Sequence, residues 1–297
     1  MYHQPALLHE CIEGLSINPS GIYTDLTFGG GGHSRLILEK LNIDGRLIAF
    51  DQDEDALLNA FEDERFTLLN ENFRYLKNFL RLHKALPLDG ILADLGISSH
   101  QIDTPGRGFA TRFEGPLDMR MARNRGVTAS QMINTYDEEK LRTVFMLYGE
   151  LSNARQLASV IVGARSNPIT TTTELKEAIK TCIPANYESK YLAQVFQAIR
   201  IEINDEMGAL QAMLKQSTDV LKPGGRLVVI SYHSLEDRLV KNYMKTGNFE
   251  GEQEKDFYGN ISAPLKPITR KPITPAEAEM KSNARSRSAK LRIAQKI

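Results

Sequence analysis

Acidic residues and a run of glycines occupy positions where short apolar segments end. Asp25 comes shortly before the consecutive glycines 29–32, and Asp51 ends the next apolar segment. Glycine tolerates positive φ and lets a ligand approach the main chain, so this turn can hold an adenosyl or phosphate-bearing group at a helix N-terminus. A carboxylate about twenty residues beyond such glycines can accept hydrogen bonds from both ribose hydroxyls. A turn that is glycine-rich only for tight packing is the alternative.

The spacing of these residues bears on the identity of the ligand. Ordinary dinucleotide-binding turns follow the pattern G-x-G-x-x-G. Here three residues separate Asp25 from Gly29, and the glycines are unbroken. An acid before the glycines and a second acid after the following strand fit S-adenosylmethionine better than NAD. The turn therefore predicts a site for S-adenosylmethionine.

Three more side chains with chemical potential follow apolar segments. Phe73 follows the third segment, where it can lie against an adenine ring or start the next helix as a core residue. Asp94 ends the fourth segment. His233 follows the fifth and can exchange a proton near neutrality. A histidine that is hydrogen-bonded to a neighbouring carboxylate for structural reasons is the competing interpretation.

The elements that must position these residues alternate between strand and helix patterns. Strands are predicted within 21–28, 45–51, 65–70, 88–96 and 226–232, a helix within 1–15, and a further helix at 53–61 that Asp53 can cap. This alternation predicts an α/β fold with a parallel, doubly wound sheet, in which Asp25, Asp51 and Asp94 face one crevice. Residues 127–200 instead read as a helical insertion, and the turn Pro223-Gly224-Gly225 returns the chain to the sheet.

Composition limits the class of protein. The 297 residues are 41% hydrophobic, enough to build a core, and carry 37 basic and 37 acidic side chains. No global positive field therefore attracts nucleic acid, and such binding must use local patches. Cys11 and Cys182, far apart in sequence, indicate neither a disulfide framework nor a metal site. Without a signal peptide or an apolar run that could span a bilayer, we expect a cytoplasmic protein.

Two basic segments are candidates for contact with nucleic acid. Arg107, Arg112, Arg120, Arg123 and Arg125 are interleaved with Phe109, Phe113, Met119 and Met121. This pattern suits phosphate contact and base stacking, or else a surface salt-bridged to Glu114 and Asp118. The segment 281–292 has basic residues and no acid. It can bind phosphates, or its Leu291 and Ile293 can pair back on the sheet.

Six segments, taken together and in order, resemble the bacterial small-subunit (16S) ribosomal RNA cytosine-N4 methyltransferase family. They are Asp25–Ser34, Asp94–Ser99, Arg107–Phe109, Gly115–Met121, Ser231–Arg238 and Arg287–Arg292. The resemblance implies a Rossmann-like S-adenosylmethionine-dependent methyltransferase domain, 1–105 and 204–297, whose last part carries the basic C-terminal tail. It also implies an inserted helical domain, 106–203, that recognises the substrate. The implied reaction methylates the exocyclic amine of one cytosine near the decoding centre.

The resemblance also implies particular site residues. It assigns S-adenosylmethionine to residues in the glycine turn and after the second, third and fourth strands, and to one residue in the loop beyond: Gly31, Gly32, His33, Asp51, Phe73, Asp94 and Gln101. The chain departs from the family pattern at His100, Ala122 and Ala284, outside this proposed cofactor shell. The Asp/Asn-Pro-Pro-aromatic loop of many amino-methyltransferases is missing after Asp94. Our hypothesis is that Asp94 orients the cofactor or the acceptor, while His233 holds the base or takes the proton.

The function predicted from the sequence is thus methylation of cytosine N4 in 16S ribosomal RNA, either free or in the small ribosomal subunit. A non-catalytic RNA-binding assembly factor that keeps the methyltransferase fold is the alternative from another class. The oligomeric state is open, a homodimer being one arrangement. The scattered histidines indicate no metal site.

Overall fold

The computed structural model of the chain describes residues 5–253 and 263–297. Contacts divide it into two compact units: the helical unit, Ile97–Glu206, and the sheet unit, made of the chain before Ile97 and after Glu206. The predicted insertion, 106–203, lies inside the helical unit, which begins already at Ile97. No helix in the described residues is long and apolar enough to cross a membrane.

The sheet unit contains seven strands. They are β1 Ile22–Asp25, β2 Arg46–Phe50, β3 Phe66–Leu69, β4 Leu88–Asp94, β5 Leu221–Ser231, β6 Leu265–Pro267 and β7 Lys290–Lys296. The order across the sheet is β3-β2-β1-β4-β5-β7-β6. The first five strands in this order run parallel, whereas β7 is antiparallel to both β5 and β6. This arrangement confirms the predicted α/β fold and its five parallel strands.

Helices cover both faces of this sheet. The helices of this part of the chain are α1 Leu8–Leu15, α2 Gly32–Lys40, α3 Leu76–Leu82, α10 Glu206–Val220, α11 Ser234–Thr246 and the short α12 Glu277–Ser282, of which all but α12 contribute buried side chains. Side chains alternate along each strand, so Ile91 and Ala93 of β4 pack in the core with α3, α10 and α11, while Leu92 packs with α1 and α2. The predicted N-terminal helix is observed from Leu8, and residues 1–4 of that prediction lie outside the described residues.

Two predicted boundaries differ from the observed ones. Residues Glu54–Asn59 form a short 3-10 helix, and the Asp53 side chain caps it, as predicted, by accepting a hydrogen bond from the Asp55 amide. Strand β5 begins at Leu221, before the predicted turn, because Leu221 pairs with Leu88. The pairing then shifts register, with Gly224 at φ +84°, so the turn is a bulge within the edge of the strand.

The C-terminal segment completes the sheet. Ile293 of β7 pairs with Val228, and Leu291 pairs with Ile230. Both β7 side chains are buried in the core shared with α1 and α2. Of the two alternatives for this segment, pairing of Leu291 and Ile293 back on the sheet is observed.

The helical unit has its own core. It contains α4 Ser99–Asp103, α5 Ala129–Thr135, α6 Glu138–Leu147, α7 Ala154–Ala164, α8 Thr172–Ala178 and α9 Glu188–Asn204. The stripe predicted on α9 packs into this core through Leu192, Val195, Phe196 and Ile199. Helix α9 ends at Asn204, and the following residue Asp205 adopts a left-handed conformation with φ 46°.

Candidate active site

Three carboxylates gather at one edge of the sheet. Strand β1 lies between β2 and β4, all parallel, and Asp25 is in register with Ala49 and Leu92. Asp51 and Asp94 therefore follow Ala49 and Leu92 at the same end of the sheet. The charge of Asp25 contributes to raising the pKa of both. The predicted convergence of the strand-end acids is observed.

The Asp25 side chain has a structural role at this edge of the sheet. It is 1% exposed, accepts a hydrogen bond from Ser34 Oγ at 2.7 Å, and accepts another from the Thr27 amide at 3.1 Å. Burial raises its pKa, which the Ser34 and Thr27 hydrogen bonds oppose. Asp25 therefore ties the end of β1 to the start of α2.

The glycine turn needs its glycines for both conformation and space. Gly31 has φ +75°, and a Cβ there would stand 2.7 Å from Phe61 Cζ and 2.9 Å from Phe28 Cζ. A Cβ on Gly32 would stand 2.3 Å from Pro5 Cγ. Tight packing thus accounts for part of the glycine run. The start of α2 nevertheless has no side-chain cap, which leaves first-turn amides available to a ligand.

Asp51 connects this turn to β2. Its Oδ2 accepts a hydrogen bond from the Gly29 amide at 2.7 Å, and its Oδ1 accepts one from the Asp53 amide at 2.9 Å. Burial raises its pKa to about 6 despite these bonds. Each carboxylate oxygen has a second lone pair. The two oxygens can therefore accept hydroxyl donors while they still hold the turn.

His33 presents an orphaned acceptor in the first turn of α2. The residue is 4% exposed and hydrogen-bonds to the Ala6 carbonyl, whereas its buried Nε2 has no hydrogen-bond partner among the described residues. Burial lowers its pKa, and the nearby Asp94 charge opposes this. A neutral imidazole that donates through Nδ1 carries an acceptor lone pair on Nε2. Such an atom is satisfied only by an added donor.

Asp94 is held from two sides. The Tyr232 hydroxyl donates a hydrogen bond to Asp94 Oδ1 at 2.8 Å, and the Asp94 amide donates to Thr27 Oγ1 at 2.7 Å. Burial raises the pKa of Asp94 to about 6, although His33 and Tyr232 lower it. Sequence reasoning missed Tyr232. The signal was its place just past Ile230, the residue of β5 that pairs with Asp94.

His233 caps a helix. Its Nδ1 accepts a hydrogen bond from the Glu236 amide at 3.4 Å, and its Nε2 lies 3.2 Å from Glu236 Oε1. The Glu236 side chain in turn accepts from the His233 amide, which completes a capping box at the start of α11. Within the described part of the chain, no hydrogen bond or ion pair joins His233 to Asp94. The structural interpretation thus accounts for the observed contacts, and a proton-transfer role stays a prediction.

Phe73 and Gln101 lie in different units. Phe73 begins the 3-10 helix Phe73–Tyr75 in the sheet unit, half-buried against the core of α3 and α10, a position compatible with both predicted roles. Gln101 belongs to the helical unit, where its Oε1 accepts a hydrogen bond from the Ser98 amide at 3.0 Å. Its side chain completes a capping box at the start of α4. Cofactor contact by either residue stays a prediction.

The predicted arginine surface is wrong in part. Arg107 is 1% exposed, and its Nη2 donates hydrogen bonds to the Arg120 and Met121 carbonyls at 3.0 and 3.1 Å. Arg120 pairs with Asp118 through two hydrogen bonds of 2.8 and 2.9 Å, which was the alternative interpretation. Phe109, Met119 and Met121 are buried in the core of the helical unit. Most residues of this motif therefore pack or form hydrogen bonds within the helical unit, whereas Arg123 and Arg125 are exposed.

Comparison with known proteins adds to this geometry. The model of the MraW methylase family matches residues 1–297. A protein of Flavobacterium johnsoniae named ribosomal RNA small subunit methyltransferase H is 60% identical over 297 residues, which cover 100% of this chain and 98% of that protein. A protein of the same name from Bacteroides thetaiotaomicron is 57% identical, with 99% of this chain and 97% of that protein covered.

The solved structures are more distant. A crystal structure of an rRNA methylase from Streptococcus thermophilus is 13% identical, with 100% of this chain and 99% of that chain covered and a TM-score of 0.43, too low to support an assignment. The match over the full length and the high identity to curated relatives do support one. The chain belongs to the MraW methylase family.

Proposed function

We propose that this protein transfers the methyl group of S-adenosylmethionine to the exocyclic N4 amine of one cytosine in 16S ribosomal RNA of the small subunit. The observation that carries the proposal is the sheet edge where Asp51, Asp94 and the uncapped start of α2 meet. The name shared by full-length relatives at 60 and 57% identity supports the ribosomal substrate. Such a substrate would place the activity in the cytoplasm.

The residues at this edge fit the cofactor. Asp51 has lone pairs left for the ribose hydroxyls, and the orphaned Nε2 of His33 can accept a donor. Gly31 and Gly32 stay predicted cofactor contacts through their main chain, since Phe28, Phe61 and Pro5 fill the space where their Cβ atoms would stand. Phe73 would lie against the adenine, and contact of Gln101 with the cofactor is carried over from the family resemblance. When bound, the cofactor supplies an activated methyl group.

The chain must then align and activate a weak nucleophile. Cytosine N4 is conjugated with the ring, so an acceptor that binds its hydrogens favours the rehybridised nitrogen in the transition state. Asp94, with a pKa of about 6, can accept such a hydrogen bond and is able to take a proton near neutrality. His233 remains the second candidate for holding the base. Alignment and exclusion of water supply the remainder of the acceleration.

Contact with the RNA backbone would fall to exposed basic side chains. Arg123 and Arg125 in the helical unit, and Lys281 and Arg287 of the basic segment 281–292, are the exposed candidates. Phosphate contacts release counterions, so the affinity for RNA should fall steeply with salt. A single-stranded or flipped cytosine costs less to present than a paired one.

A methyl-transfer assay with tritiated S-adenosylmethionine tests the function. Naked 16S RNA, small subunits and a pool of free metabolites are offered separately, and the labelled nucleoside is identified by chromatography. We expect about one methyl per RNA or subunit, recovered as N4-methylated cytidine. Label in metabolites or in another base would overturn the proposal.

Calorimetry separates the enzyme from its alternative class. A non-catalytic assembly factor would bind subunits without turnover, and it would show little heat with S-adenosylmethionine. An active enzyme binds the cofactor and its demethylated product. We also keep a homodimer as a proposal, which light scattering of the purified chain would decide.

A further inference from the structure

We propose that Tyr232 is a positioning residue for Asp94: its hydroxyl fixes one carboxylate oxygen and leaves the other to accept a hydrogen bond from the cofactor or the acceptor amine. The inference rests on the proposed function, in which Asp94 faces one of these ligands. It adds to that function a residue outside the predicted site. Tyr232 acts through Asp94 and touches no ligand itself in this scheme.

The contacts around Asp94 carry the geometric part of the inference. Tyr232 OH lies 2.8 Å from Oδ1, and within the described residues no hydrogen bond reaches Oδ2. Thr27 Oγ1 anchors the Asp94 amide at 2.7 Å. One oxygen of the carboxylate is thus satisfied by protein, and the other keeps its acceptor capacity at the sheet edge.

Tyr232 is itself held rigidly enough to position a partner. Its amide donates to Glu236 Oε2 at 2.8 Å, which connects it to the first turn of α11. Its ring packs with the core of α1 and α2, and a Cβ on Gly96 would lie 3.7 Å from the ring. Main chain and ring are therefore both fixed. The hydroxyl has little freedom to leave the carboxylate.

Electrostatics give the hydrogen bond a measurable effect. Asp94 is surrounded by His33 from α2, Asp25 from β1, Glu236 from α11 and Cys11 from α1. Among these groups only His33 favours the charged carboxylate. Burial raises the pKa of Tyr232 far above its usual range, so the phenol keeps its proton. Without this donor, the pKa of Asp94 should rise above about 6.

The test removes one oxygen atom. We expect Tyr232→Phe to raise the pH midpoint of cofactor binding or of methyl transfer by about one unit. The reason is that losing a hydrogen bond to a charged carboxylate changes its acid dissociation constant by roughly tenfold or more. Affinity for S-adenosylmethionine, measured by calorimetry between pH 5.5 and 9, shows the shift if Asp94 faces the cofactor. Single-turnover methylation shows it if Asp94 faces the acceptor. The affinity or the methylation rate of the variant should be roughly fivefold lower near pH 6, where the ionised fraction of Asp94 falls from about one half to about one tenth, and should approach that of the wild type near pH 9.

Two variants control for structural effects. Tyr243→Phe makes the same chemical change in the sheet unit, at a hydroxyl 3.3 Å from Thr218 Oγ1, and should leave both midpoints unchanged. In an Asp94→Asn background, Tyr232→Phe should have no pH-dependent effect, because the titrating group is gone. A fluorinated tyrosine at position 232, with a more acidic phenol, should move the midpoint downward without loss of any packing atom.

The outcomes separate the inference from the proposed function. A wild type that binds and transfers normally, with midpoints that neither Tyr232→Phe nor the fluorinated residue moves, overturns the inference alone. A loss of affinity that is equal at every pH also overturns it, because a packing defect has no pH dependence. A wild type that neither binds S-adenosylmethionine nor transfers methyl overturns both.

Discussion

Tyr232 and His233 are sequence neighbours with different tasks. The Tyr232 side chain reaches across to β4 and bonds Asp94, whereas the His233 side chain turns back to Glu236 at the start of α11. A histidine after a strand is a reasonable candidate for proton exchange. Whether His233 exchanges a proton depends on its environment, since a side chain that caps a helix has fewer lone pairs available for chemistry. The capping contacts account for the position of the His233 ring, and a role of His233 in proton transfer stays a prediction.

The charge of Asp94 should cost stability. Its pKa is raised from 3.8 to about 6, so the folded chain binds more protons than the unfolded chain between these values, and stability falls as the pH rises through them. We expect Asp94→Asn to be more stable than the wild type at pH 7.5, by up to about 3 kcal/mol. The gain should vanish near pH 4.

Urea denaturation at both pH values measures this difference, and calorimetry on the same samples should show weaker S-adenosylmethionine binding. A variant that is less stable than the wild type at pH 7.5 would contradict the assignment of a buried charge. A gain that is equal at both pH values would show that it does not come from the ionised carboxylate.

The helices differ in whether a side chain caps the amides of their first turn. Helices α4, α5, α8 and α11 begin with capping boxes, in which side chains satisfy the first amides. Helix α2 begins at a left-handed glycine with no side-chain cap, beside Asp51 and the orphaned Nε2 of His33. Helices α1, α3, α7, α9 and α12 also begin without a side-chain cap, so an uncapped start is not particular to α2. The start of α2 therefore supports a ligand through its position beside Asp51 and the Nε2 of His33, and not through the missing cap alone.

The turn before α2 should not accept a side chain. We expect Gly31→Ala to lower the free energy of unfolding by about 2–4 kcal/mol. Alanine is strained at positive φ, and its Cβ would clash with the rings of Phe61 and Phe28. S-adenosylmethionine affinity should fall as well. Gly163→Ala on α7 is the matched control, since a Cβ there would have no atom within 4 Å apart from the adjacent residues and backbone of its own helix. It should be neutral or stabilising by about 1 kcal/mol.

Thermal melts and cofactor titrations of the two variants check this expectation. If Gly31→Ala melts and binds like the wild type, the turn has more room than its contacts indicate. Gly163→Ala would then also lose its value as a contrast, because both positions would tolerate the same methyl group.

The sheet as a whole depends on its last strand. β7 fills the place between β5 and β6, and its Ile293 packs so closely on α1 that a Cβ on Gly14 would stand 2.7 Å from Ile293 Cδ1. The Arg292 guanidinium adds a 2.6 Å ion pair with Asp237 of α11. The basic residues in this strand are thus partly structural. Their number alone is a poor guide to contact with RNA.

Two isoleucines near the end of the chain test the importance of this strand. Ile293 is 5% exposed and Ile297 is 69% exposed. We expect Ile293→Ala to cost about 2–4 kcal/mol, because it opens a cavity in the core, and Ile297→Ala to cost under about 0.5 kcal/mol. Denaturant unfolding measures both. Equal effects would mean that the strand is not packed as described.

Patterns local in sequence were predictable. The parallel strands and their acids follow from short apolar segments with a polar end, and Asp53 could be identified as a cap because its partner is two residues away. The pairing of Leu291 and Ile293 was one of two open alternatives, since an apolar pattern inside a basic segment does not decide between a surface tail and a strand.

Contacts between distant segments were not predictable. The buried Arg107 donates hydrogen bonds to two carbonyls some fourteen residues further along the chain. Its charge alone had indicated a position on the surface. Tyr232 reaches a carboxylate 138 residues earlier in the chain. Neither contact leaves a periodic or local signal. Adjacent strands had to be known before such partners could be matched.

The position of the helical unit in the chain has a kinetic consequence. β4 and β5 are neighbours in the sheet, yet all of Ile97–Glu206 lies between them in sequence. Bringing their ends together across an unstructured loop of this length costs roughly 4 kcal/mol of entropy at the moment of pairing. Early collapse of the intervening helices shortens that loop, so the order of folding matters as well as the final contacts. Substitutions at Phe145 or Ile161, which lie in the core of the helical unit, would then slow the pairing of β4 with β5 in the sheet unit.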